Sequence, residues 1–200
     1  MAKIKLTKNE QKKQKDSLKM FQRYLPTLML KKQQLQAEIR TVEIRTTEVR
    51  AEKDQTDESI KKWLAIFGEE GVFTQDILRI TKMAAREGNV AGVAIPVFEG
   101  AEFEVSQYDL VEKPLWLDVA VENMEKALRL DLELQCLEEQ RRRLRKELQT
   151  TSQRVNLFEK IKIPEAKANI KKIAVYLGDQ QTAAVVRGKI SKRGMEKAGS

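Results

Sequence analysis

The chain has 200 residues and a formal net charge of +8, with 34% charged and only 6% aromatic residues. Such a composition gives much solvated surface and little bulky core, favouring long exposed helices over a compact globule. Hydrophobic residues at 41% exclude a fully disordered chain, while one cysteine (Cys136) and no histidine exclude an internal disulfide framework and nearly exclude His/Cys metal sites.

The N-terminal stretch MAKIKLTKNEQKKQKDS is basic, has no apolar segment behind it and does not read as a secretory signal. Beyond it a single periodicity dominates the first third. Positions 18, 21, 25, 28, 32, 35, 39, 42, 46, 49, 53, 56, 60, 63 and 67 alternate steps of three and four, and eleven of the fifteen are apolar. That spacing predicts a coiled-coil seam with a left-handed supercoil. Pro26 interrupts it and predicts a local kink rather than a stop. A helix over about 6–67 would be roughly 90 Å long at ~1.5 Å per residue.

GEEG at 68–71 ends this helix. Residues 74–86, TQDILRITKMAAR, read as a short helix. VAGVAIPVF and AEFEV then read as two short strands around Glu99–Gly100, a β-hairpin with Pro96 at an edge. A second seam follows at 116, 120, 123, 127, 130, 134, 137, 141, 144, 148, 151, 155 and 158. Pro114 suits the first turn of its helix. The seam resumes one residue late at Ile163, Ala166, Ile170, Ile173 and Leu177, and the slip beside Pro164 predicts a kink or local unwinding. No apolar run approaches the ~20 residues that span a bilayer, and Cys136 reads as a small reduced side chain in a cytoplasmic protein.

These elements predict a mainly α fold: a long antiparallel two-helix coiled coil with a small central α/β-hairpin insert. They divide it into an N-terminal shaft helix at 1–67, a central head at 68–115 and a C-terminal shaft helix at 116–200. Lys and Arg minus Asp and Glu give 16 − 9 = +7, 4 − 9 = −5 and 18 − 12 = +6 over 1–67, 68–115 and 116–200. Folding back would place both basic termini at one tip and the acidic middle at the other end.

The chain lacks the phosphate loop GxxxxGK[ST], GxGxxG and a nucleophile elbow. Paired carboxylates such as Glu138–Glu139 read as solvated helix faces. An enzyme is therefore not expected, nor a cofactor. The run RRRLRK at 141–146 is either a patch for an acidic partner or a solvated face balanced by Glu138, Glu139 and Glu147; Arg141 falls on the seam. The stretch 178–194, GDQQTAAVVRGKISKRG, is either a frayed terminus or a tail held inside a partner.

Two motifs carry a resemblance over almost the whole chain. NVAGVAIPVFE at mid-chain and RVNLFEKIKIPEAKANIKKI some fifty residues later resemble the N-V-A-G-V-x-x-P-x-F and R-V-N-x-L/F-E…I-P…I-x-x-I patterns of the D subunits of the V-type/A-type rotary ATPases. RYLPTLMLKKQQLQAE and LGDQQTAAVVRGKI look like the bacterial branch; the Gly/Gln/Ala-rich end after Leu177 departs from many relatives. The resemblance implies a central rotor shaft, without catalysis of its own, that couples ATP hydrolysis or synthesis to ion translocation. It implies A and B catalytic subunits, the small F subunit, a membrane-rotor adaptor and its ring as partners, and a peripheral place on the cytoplasmic side of the plasma membrane. Lys12, Lys13, Lys15, Arg187 and Lys189 are then candidate contacts to the head. Asn89, Val90, Pro96, Phe98 and Phe103 are candidates for the docking head, and Arg141, Arg142 and Arg143 for shaft surface. The alternative is a free-standing basic coiled coil that binds nucleic acid or ribosomes. The acidic middle and the lack of interleaved aromatics weigh against it.

Overall fold

The computed structural model describes residues 4–67, 77–106 and 116–198. Helix α1 covers Lys8–Phe67, strands β1 and β2 cover Leu78–Val90 and Val93–Val105, and helix α2 covers Leu117–Asn156. A π-helical turn, Leu157–Lys162, leads into helix α3, Ile163–Ala198. The fold is mainly α, with one small antiparallel hairpin between long helices. Internal contacts group the chain into two compact units, residues 32–149 and residues 1–31 with 150–200.

Thr7 caps helix α1. The Thr7 hydroxyl accepts the Glu10 N–H at 3.3 Å, satisfying one of the first-turn donors. The helix runs on through Pro26. Every seam position whose side chain is described, on α1 and on α2–α3, is buried or half-buried; Trp63 and Phe67 lie outside the described side chains.

The polar seam positions are reconciled with burial locally. Thr46 and Thr56 are buried, and their hydroxyls donate to the carbonyls of Val42 and Glu52, four residues back. Each hydroxyl is satisfied within its own helix, so the seam tolerates it. Lys53 pairs with Asp131.

In the 32–149 unit, Leu35, Ile39, Val42 and Val49 of α1 pack with Leu130, Leu134, Leu137 and Leu144 of α2 and Ile95 of β2. Ion pairs flank this seam. Glu43–Arg145 (2.5 Å) and Arg50–Glu138 (3.4 Å) form one set; Arg45–Glu133 (2.8 Å) and Glu52–Lys126 (3.4 Å) form the other. Within each set one number rises by seven as its partner falls by seven, the heptad signature of antiparallel helices in a single register. Each exposed pair contributes little alone. In a double-mutant cycle Arg145→Glu should cost ~0.5–1 kcal/mol, and adding Glu43→Arg should recover most of it. Chemical denaturation checks this; no recovery would mean that this pair does not help set the register.

The hairpin differs from expectation in two ways. First, residues 78–86, expected to be helical, lie in β1; residues 74–76 are outside the described residues. Leu, Arg, Lys, Met and Ala favour helix intrinsically, but here ladder pairing and packing override propensity. Leu78 pairs with Val105 and Val90 with Val93, with irregularities between Ile80 and Lys82 and between Ala84 and Ala85.

Second, the turn is at Ala91–Gly92, not at Glu99–Gly100. Both turn residues have positive φ, 50° and 81°, as a type I′ turn needs. The Asn89 side-chain oxygen accepts the Gly92 N–H at 2.9 Å. Glu99 and Gly100 instead lie within β2, beside the second irregularity. Gly88 lets the strands approach closely: a Cβ there would lie 2.9 Å from Val97 Cγ2, and that side chain would have to shift. The position expected for Pro114 lies outside the described residues.

In the 1–31 and 150–200 unit, Phe21 and Phe158 stack at a ring-centroid distance of 5.2 Å. Gln14, Ser17 and Phe21 line one cleft with Lys162, Glu165, Ala166 and Asn169, so α1 and α3 run antiparallel here as well. The slip expected beside Pro164 is the π-helical turn.

Candidate functional site

The hairpin rests on α2 through β2. Gln140 Nε2 donates to the Pro96 carbonyl at 2.5 Å, and the Cys136 thiol donates to the same oxygen at 3.3 Å. Arg143 donates to the Ala94 carbonyl at 3.1 Å. Carbonyls two residues apart on a strand point the same way, so α2 covers one edge of β2. This explains how proline is tolerated at 96, where no ladder N–H is needed. Burial pushes the Cys136 thiol pKa up, with the Gln140 hydrogen bond opposing it.

The residues expected to form a docking head are largely engaged within the chain. Asn89 holds the turn, Val90 packs against the core, Pro96 is anchored by α2, and Phe98 is half-buried opposite Ala85. Phe103 lies beneath the Arg129 guanidinium at 5.7 Å. The exposed apolar groups of the hairpin are others: Ile80, Met83 and Val105.

Of the RRRLRK run, Arg141 is half-buried. Arg142 and Arg143 both donate to Glu139, at 2.6–2.7 Å. These two guanidinium groups hold the Glu139 carboxyl down at about 2. The clamp is thus complete above the ordinary carboxylate value of 4.5 and is lost as pH falls through about 2. A carboxyl titration by NMR should place the Glu139 midpoint well below those of unpaired glutamates in this chain; a midpoint among theirs would refute the clamp.

Lys12, Lys13, Lys15, Arg187 and Lys189 are all exposed and all belong to the unit of residues 1–31 and 150–200. That unit carries a second feature that charge counting missed. Among the described residues, twelve of the seventeen exposed large hydrophobic side chains belong to it: Met20, Tyr24, Met29 and Leu30 on α1, with Leu157, Ile161, Val175, Tyr176, Val185, Val186, Ile190 and Met195 beyond residue 150. Ile190 is 65% and Met195 76% exposed.

The stretch 178–194, read as a frayed terminus or a tail held inside a partner, is helical. It is helix α3, and between Gly178 and Met195 only Ala183 is even half-buried. The signal was present in the sequence: the seam line past Leu177 meets Gln180, Ala184, Arg187 and Ser191, while Val185, Val186 and Ile190 fall off it. No helix among the described residues is long and apolar enough to cross a membrane.

Long antiparallel helices with a β-hairpin seated on one of them define a mainly α, coiled-coil protein. The chain belongs to the ATP synthase D subunit family, whose family model matches residues 10–193. It is 50% identical over 197 residues to the V-type ATP synthase D subunit of Borreliella burgdorferi, covering 98% of this chain and 97% of that protein. It is 32% identical to the V-type ATP synthase D subunit of Chlamydia trachomatis serovar L2 and 31% identical to that of Chlamydia muridarum, each over 95% of both chains.

Proposed function

We propose that this chain is the central-stalk rotor component of a V/A-type rotary ATPase. In this reading it couples ATP hydrolysis or synthesis in the A/B head to ion translocation through the membrane rotor ring. The chain performs no catalysis, and sits peripherally on the cytoplasmic side of the plasma membrane. The unit of residues 1–31 and 150–200 enters the head, and the hairpin end meets the F subunit and the adaptor to the ring.

The observation that carries this reading is the concentration of exposed apolar side chains, interspersed with lysine and arginine, on the first of these units. Exposed apolar side chains gathered on one unit suit an interaction site, and the positive charge among them suits acidic surfaces that steer without locking. The 32–149 unit carries the buried apolar cluster and the flanking ion pairs, which suit it to bear torque.

Charge reversal tests the reading. Lys12, Lys13, Lys15, Arg187 and Lys189 would be changed to Glu together in the complex reconstituted into vesicles. ATP-driven ion transport should fall by about tenfold or more, with the isolated chain retaining its helical circular dichroism. Transport at the unaltered rate would overturn the assignment of this surface to the head. Failure of the A and B subunits to co-purify with the unaltered chain from membranes would overturn the rotor role itself.

A further inference from the structure

We infer that the π-helical turn Leu157–Lys162 is a built-in joint, the place where the α2–α3 helix twists and opens locally while the seam on either side stays in phase. The inference rests on the turn itself and not on the rotor role.

The sequence supplies one residue too many. Seam positions step by three or four through Thr151, Val155 and Phe158, and resume at Ile163, Ala166 and Ile170. The step from 158 to 163 is five. The α1 seam opposite has no matching insertion, since Leu18, Phe21, Leu25 and Leu28 keep their spacing. A continuous α-helix would rotate everything after 158 away from α1 by about 100°. The π-helical turn absorbs the extra residue: the Ile163 N–H donates to the Phe158 carbonyl, five residues back. The seam is thereby restored, with Val155 and Ala166 both buried.

The same device makes the segment easy to open. Pro164 follows at once, so one donor that would tie the next residue back is absent, and its ring crowds the carbonyl of Lys160. No residue of the turn is buried, and Leu157 and Ile161 are exposed; Phe158, half-buried against Phe21, keeps the turn on the seam. Buried groups instead flank it, Thr151 and Val155 before and Ala166 and Ile173 after. Few buried contacts and solvent-facing backbone hydrogen bonds mark the low end of local stability. A sparse segment between two better-packed ones is a joint, whereas a fraying end would loosen steadily toward the terminus.

Hydrogen exchange on the full-length chain separates the two. Amides of 157–163 should exchange about tenfold faster than those of 144–151 and also faster than those of 166–173, nearer the terminus. Protection that falls steadily from 144 to 173 would overturn the joint. Deleting Lys160 returns the 158-to-163 step to four, and the fast window should close while helical content is kept; a window that persists in the folded deletion variant counts against the proposal. Pro164→Ala keeps the test independent of the deletion's folding. It returns the missing N–H and should slow exchange across the window at least threefold or so, and an unchanged window there also overturns the joint.

Discussion

A chain ending at Leu177 should fold and then fail in its complex. Residues 178–195 lie in helix α3 but bury almost nothing, so removing them takes no core from either unit. The urea midpoint of the isolated chain should move by less than about 0.5 kcal/mol in stability. In the proposed assembly the same residues lose their partner. Burying Val185, Val186, Ile190 and Met195 would contribute on the order of 1–2 kcal/mol each, discounted by the cost of docking. ATP-driven ion transport by vesicles carrying the truncated chain should drop at least about tenfold. Transport at the full rate would show that α3 beyond Leu177 is dispensable.

Leu144→Ala should do the reverse. Leu144 is 0% exposed within the cluster that includes Leu35, Leu137 and Ile95, and its truncation leaves a cavity between the two helices. The expected loss is about 2–5 kcal/mol, read from urea denaturation. Ile190→Ala in the same assay should be near zero, because Ile190 is 65% exposed. Equal costs for the two variants would contradict the burial pattern on which the division between core and docking surface rests.

The seam was legible because its signal is additive. Fifteen positions at one spacing outvote Lys32, Thr46, Lys53 and Thr56, and the structure shows how two of these four are accommodated, by hydroxyls turned back to their own helix. The slip at Pro164 was legible for the same reason, since a five-residue step has few backbone solutions. The centre was harder. ILRITKMAAR is a helix former by propensity and becomes a strand only because of β2, a non-local cause. The turn was misplaced because Ala91 occupies a position with φ of 50° that Asn or Gly usually fills. Gly100 offered a more familiar signal nine residues too late. The candidate docking residues were chosen as distinctive types in a motif; Pro96 and Phe103 meet α2, Asn89 holds the turn, and Phe98 lies opposite Ala85 of β1. The apolar surface past Leu177 was hidden by alanines and glycines that made the segment look loose.

The ion pairs that flank the seam also bear on how the chain is made. Arg45 meets Glu133, Lys53 meets Asp131 and Arg145 meets Glu43, at separations of 88, 78 and 102 residues. On the ribosome, α1 is complete long before its partner helix exists. Its leucine and valine stripe is left unmatched while the hairpin and half of α2 are being synthesised. The acids that Arg45 and Arg50 meet across the seam, Glu133 and Glu138, lie on α2, so these cross-helix pairs close only after that helix has been made. Pairs that add little to the finished molecule thus wait for the second helix, and α1 meets these charge partners only late in synthesis.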